Sequence, residues 1–106
     1  MMVLTGNVGK SVVLQSLVEA YNDIYALVYD ESPIPTVETL YVSSKDFGIE
    51  QLCDSIRRGV CIKQGRRELI VIYTNLQEAD TFAIKDLIEE LEQDGFCRYG
   101  IVMCKE

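Results

Sequence analysis

Residues 69–73 read Leu-Ile-Val-Ile-Tyr, an apolar run with no polar break. A strand with one wet face alternates apolar and polar residues, whereas an unbroken run suits a strand covered on both faces. Such strands belong to parallel sheets sandwiched between helices, and the rest of the chain fits that demand. Short apolar runs at 2–4, 24–29, 39–42 and 99–104 read as further strands, with 68–74 as the strand carrying the run itself. Between them lie segments of helical period. Residues 11–21 carry Val13, Leu14, Leu17, Val18 and Tyr21. A second helix carries Ile49, Leu52, Cys53 and Ile56, with Asp46 as its cap and Gly59 as its end. A third, over 80–94, carries Ile84, Leu87, Ile88 and Leu91 and stops at Gly95. Pro33 and Pro35 hold their segment extended. The order strand, helix, strand, strand, helix, strand, helix, strand predicts a three-layer α/β fold with a mostly parallel sheet, a single domain over 1–106.

Bulk properties narrow the function. With 106 residues, 48% hydrophobic and 25% charged, the chain is ordinary globular material. Its net charge of −7 disfavours nucleic acid and anionic lipid, whose phosphates demand positive surface. No apolar run approaches the ~18–20 residues of a membrane span, and the first one is too short for a signal peptide. Cys53, Cys61, Cys97 and Cys104 form no C-x-x-C pair, and the chain has no histidine to join them at a metal. Each sits in an apolar run, so buried, reduced thiols and a cytoplasmic location are expected.

The chemistry is concentrated in Thr5-Gly6-Asn7-Val8-Gly9-Lys10-Ser11, placed between a predicted strand and a predicted helix. Successive backbone N–H groups in a glycine-rich turn form an anion nest, and the following helix aims its positive end at the same place. In a phosphate-binding loop, Thr5 to Ser11 would contact a nucleotide, Lys10 reaching the outer phosphates and Ser11 holding Mg²⁺. The pattern G-x-x-x-x-G-K-[ST] is incomplete, because Leu4 occupies the first glycine position. A tighter turn beginning at Gly6, or partial loss of the cradle, would follow. A GTPase is disfavoured: no aspartate is followed by glycine three residues on, and Asn75 leads into Leu-Gln-Glu where a guanine-reading motif needs Lys-x-Asp.

With TGNVGKS, YDESPIP, LCDSIRRGV, ELIVIYTNLQEADTFAI and YGIVMCKE in this order, the chain resembles a reduced motor domain of the secretion ATPases of type II secretion and type IV pili. That resemblance implies a minimal RecA-type, P-loop NTPase-like core using ATP and Mg²⁺, with Lys10 and Ser11 on phosphate and metal. Glu31, or its neighbour Asp30, would polarise the attacking water as a catalytic carboxylate. It also implies a homo-oligomer or a larger ATPase assembly. Three departures weaken the implied hydrolysis. The strand at LIVIY runs into Thr74 and Asn75 where an acidic residue is expected, so Glu78 or Asp80 would have to compensate. The family's histidine box is absent, and so are its further domains. Arg57-Arg58 and Arg66-Arg67 could supply an arginine finger, a contact surface or plain solvated charge.

Three functions therefore stand at this point: a weak ATPase of secretion, pilus or DNA-transfer machinery; a degenerate, non-hydrolysing nucleotide-binding module serving interaction or regulation; and a structural domain with a relic loop.

Overall fold

The computed structural model describes residues 1–62 and 65–106. Strands β1 (Met2–Thr5), β2 (Ile24–Asp30), β3 (Leu40–Ser43), β4 (Arg67–Gln77) and β5 (Cys97–Lys105) alternate with helices α1 (Lys10–Ala20), α2 (Ile49–Cys61) and α3 (Phe82–Gln93). The strands form one sheet in the order β1-β5-β4-β2-β3. All four pairings are parallel, so every carboxyl end lies on one side. The fold is α/β, with a five-stranded parallel sheet between helical layers, as the unbroken apolar run requires.

Alternation along the strands sorts the core into two halves. Leu27, Ile70, Ile72 and Val102 face α2 and α3, where Leu52, Ile56, Val60, Ile84, Leu87, Ile88 and Leu91 meet them. Val28, Val71, Tyr73 and Met103 face the other way, against Leu14 of α1 and against Val37 and Ile34 of the segment after β2. That segment is not extended throughout as expected: it turns at Pro35 and Thr36, where the Val37 N–H donates to the Ile34 carbonyl at 3.4 Å, and proline suits the second position of such a turn. Burying a side chain of this size is worth roughly 1.5–3 kcal/mol, so the two-helix face carries most of the packing energy. α1, with the segment after β2 beside it, covers its side thinly. Leu14 is fully buried, but Val12 is 66% exposed, and Val13 and Tyr21, expected to face inward, are 41% and 40% exposed.

Two glycines explain helix boundaries. Gly95, in the left-handed region at φ 81°, ends α3 as expected. The Phe96 and Gly95 N–H groups donate to the Leu91 and Glu92 carbonyls at 2.9 and 3.2 Å, satisfying the last turn in a Schellman motif. Gly59 does not end α2, which continues to Cys61. A methyl group there would come within 2.6 Å of the Tyr25 hydroxyl, so this glycine lets β2 and α2 approach each other. At the other end of α2 the cap is Gly48 rather than Asp46, and its N–H donates to Gln51 Oε1 at 2.8 Å. A short 3-10 turn (Glu78–Asp80) precedes α3, so that helix starts later than expected.

Cys97 and Cys104 are buried and Cys53 half-buried, but Cys61 at the end of α2 is exposed; all four are free thiols. Among the described residues no helix is long and apolar enough to cross a membrane.

Candidate functional site

β2 and β4 lie side by side, yet the chain leaves them in opposite directions: from β2 outward to β3, and from β4 across to β5. Ligands of open α/β sheets bind in the crevice at the carboxyl ends of such a strand pair. Here that crevice is a cavity of about 420 Å³ lined by Tyr29, Asp30 and Glu31 after β2, by Thr74, Asn75 and Leu76 on β4, and by Ser44 and Lys105.

β4 is irregular at this place. Its register with β5 runs unbroken from Arg67 opposite Cys97 to Tyr73 opposite Met103, then resumes only at Gln77 opposite Lys105. Residues 74–76 therefore bulge out of the ladder, and a bulge re-aims side chains. The Leu76 N–H donates to Thr74 Oγ1 at 3.1 Å, which steadies the bulge.

Lys10 is the first residue of α1, and Gly9 before it takes φ 81°. That left-handed cap is where the turn bends from strand to helix, a conformation glycine adopts at no steric cost. Lys10 is only 5% exposed. Its ammonium donates to the Thr74 carbonyl at 3.1 Å and to Asn75 Oδ1 at 3.4 Å, and it lies 5.1 Å from the Tyr73 ring centre. Burial holds its pKa below the ordinary 10.5, and the charge of Lys105 pushes the same way against the opposing pull of Cys104 and Asp30.

Asn75 also reaches β2: its Nδ2 donates to Asp30 Oδ2. The amide orientation follows from its partners, since only the carbonyl can accept from an ammonium and only the N–H can donate to a carboxylate. Asp30 is fixed further by the Glu31 N–H, donating to Oδ1 at 2.7 Å. Its own carbonyl accepts from the Ser44 N–H at 2.9 Å and the Tyr41 hydroxyl at 3.0 Å. The result is a relay from α1 through β4 to β2: Lys10, Asn75, Asp30.

Asp30 and Glu31 thus line the crevice, Glu31 exposed on the rim, and Lys10 is joined to Asp30 through Asn75. The other expected residues stand apart. Thr5 pairs with Cys104 at the end of β1, and the Gly6 N–H donates to the Cys104 carbonyl at 3.1 Å, which takes that donor away from any ligand. The sheet ladder therefore runs past the position of the missing glycine, and the turn tightens to begin at Gly6. Asn7 and Val8 are exposed, Val8 at 90%. Leu4, Thr5, Val8, Gly9, Lys10 and Val13 line a second, smaller cavity of about 130 Å³. Ser11 follows Lys10 in the first turn of α1, half-buried.

Glu78 and Asp80 do not compensate for Asn75: both are exposed in the 3-10 turn and neither lines the larger cavity. The arginine pairs lie elsewhere. Arg57 makes a two-pronged bond to Glu90 at 3.0 and 3.3 Å across α2 and α3. Arg67, at the opposite end of β4, donates to the Gly59 carbonyl and stacks over Tyr25.

Asn75 stands where an acidic residue is expected at the end of β4, and its amide bridges Lys10 and Asp30. Lys105, the last residue of β5, lines the same crevice. What could have found both is their place at the carboxyl ends of neighbouring strands. No protein-family model, curated protein sequence or solved structure matches the chain.

Proposed function

We propose that the chain is a minimal P-loop domain that binds ATP at the Gly6–Ser11 turn and hydrolyses it weakly or not at all, a reduced relative of the secretion-type ATPases. The observation that carries this reading is the buried Lys10 ammonium, which leaves the turn and ends at the crevice between β2 and β4. A lysine ammonium is costly to bury, and one held beside a helix N-terminus and a polar crevice is suited to receive phosphate oxygens. The N–H groups of the turn from Asn7 onward and of the first turn of α1 would cradle the phosphates, and Lys10 would leave the Thr74 carbonyl to meet them.

The residues do not fit a protein-held Mg²⁺ as they fit phosphate. Ser11 and Asp30 offer oxygens, but the end of β4 presents an amide already bonded to the Asp30 carboxylate. Phosphoryl transfer depends on positioned charge, so the binding reading is preferred over efficient turnover. Glu31, exposed at the rim, is the carboxylate for any residual turnover. For assembly into an oligomer, the supporting feature is the exposed Val8 and Val12 beside the turn, a surface a neighbouring subunit would cover.

The test is thermal. ATP at about a hundred times its dissociation constant should stabilise the protein by about 2.7 kcal/mol, several degrees in a domain of this size. Lys10→Ala should abolish the shift, and Glu31→Gln should leave it in place while removing any residual turnover. A melting temperature indifferent to ATP would discard this reading and leave a structural domain.

A further inference from the structure

We propose that the Asn75 side chain stands in for a divalent cation at this site, so that a nucleoside triphosphate is bound without Mg²⁺. The inference rests on the nucleotide reading above and says how that site manages its charge.

A divalent ion between a phosphate chain and a carboxylate does two things: it screens the carboxylate from the phosphates and ties both to the protein. Asn75 performs the first task with a neutral group and leaves the second to Lys10, to which it links the carboxylate. Its N–H donates to Asp30 Oδ2, and its carbonyl accepts from Lys10 Nζ at 3.4 Å. The other Asp30 oxygen accepts the Glu31 N–H at 2.7 Å. Both carboxylate oxygens thus face N–H groups, which satisfy the negative charge locally.

The bulge at 74–76 aims this side chain toward β2, where Tyr29 opposite Thr74 is the last pair of the ladder. An aspartate in the same place would set a second carboxylate against Asp30, and two such charges at contact need a proton or a metal between them. The amide needs neither. Positive charge for the phosphates comes instead from two ammoniums on neighbouring elements, Lys10 at the start of α1 and Lys105 at the cavity wall on β5.

Calorimetric titration of ATP into the wild type, once in EDTA and once in excess Mg²⁺, tests this without any variant. The dissociation constants should agree within about three-fold. Asn75→Asp should bind ATP about ten-fold more weakly, or worse, in EDTA and recover in Mg²⁺, because the new carboxylate repels the phosphates until a cation lies between them. Mg²⁺ alone should raise the melting temperature of Asn75→Asp and leave the wild type unmoved. Wild-type binding that appears only with Mg²⁺ overturns the proposal and leaves the nucleotide reading standing. Absence of ATP binding in both buffers overturns both.

Discussion

At the scale of single residues, Lys10 keeps its charge buried at the expense of the fold. Desolvation outweighs the neighbouring negative charges in setting its pKa, so the ammonium sits less comfortably here than in water. Replacing a buried charge by an apolar group of similar shape is often neutral or stabilising. Lys10→Met should therefore leave the ligand-free protein unchanged or more stable by about 1 kcal/mol in urea denaturation. It should also lose all response to ATP. A clear loss of stability would mean instead that the bonds from Lys10 to Thr74 and Asn75 hold α1 to the sheet. Nothing in the residue types reveals this relay. Lys10 announces itself through the glycine-lysine-serine triplet, but its two partners lie 64 and 65 residues further along the chain and meet it only through the sheet order.

At the scale of elements, periodicity located the three α-helices and five strands of the described residues, missed the 3-10 turn at Glu78–Asp80 and misplaced several ends. The strands were drawn too short because β4 continues past its apolar run into the polar bulge, and β5 begins at Cys97 before its own. Gly59 was misread as a stop because its purpose is a close approach by Tyr25, which only the packed structure displays. Gly100 serves a similar purpose. A methyl group there would lie 2.1 Å from Ile88 Cγ2, so α3 rests directly on the β5 backbone. Gly100→Ala should destabilise by about 1–3 kcal/mol through overpacking. Gly48→Ala, with open space around it, should cost no more than a few tenths to about 1 kcal/mol. Similar losses at the two positions, measured by denaturant unfolding, would deny the close packing of α3 on the sheet.

At the scale of the whole molecule, parallel strands and a polar crevice at their carboxyl ends follow from the same apolar pattern. Strands buried on both faces leave their carboxyl ends as the natural place for chemistry. The core also sets the pH range of the fold. Burial pushes the Cys97 thiol from 9.0 up to about 11, and burial raises the Tyr25, Tyr29 and Tyr73 phenols as well. Groups raised on folding contribute stability that is fully present below their unfolded values and is lost as pH rises through the folded ones. Stability should fall from about pH 9 toward pH 11, partly offset by Lys10, whose lowered pKa acts with the opposite sign. Cys97→Ala, compared by urea unfolding at pH 8 and above pH 10, should show a shallower fall than the wild type. An equal slope would assign the loss to other groups.

The claim on which the functional account depends is that phosphate meets the chain at the turn and crevice joined by Lys10. Two-dimensional ¹⁵N NMR of the labelled protein, titrated with ATP, tests this residue by residue. Backbone amides from Asn7 to Ser11 and the Asn75 side-chain NH₂ pair should shift together and saturably. Shifts confined to the opposite end of the sheet, around Tyr21 and Arg67, or no shifts at all, would contradict it.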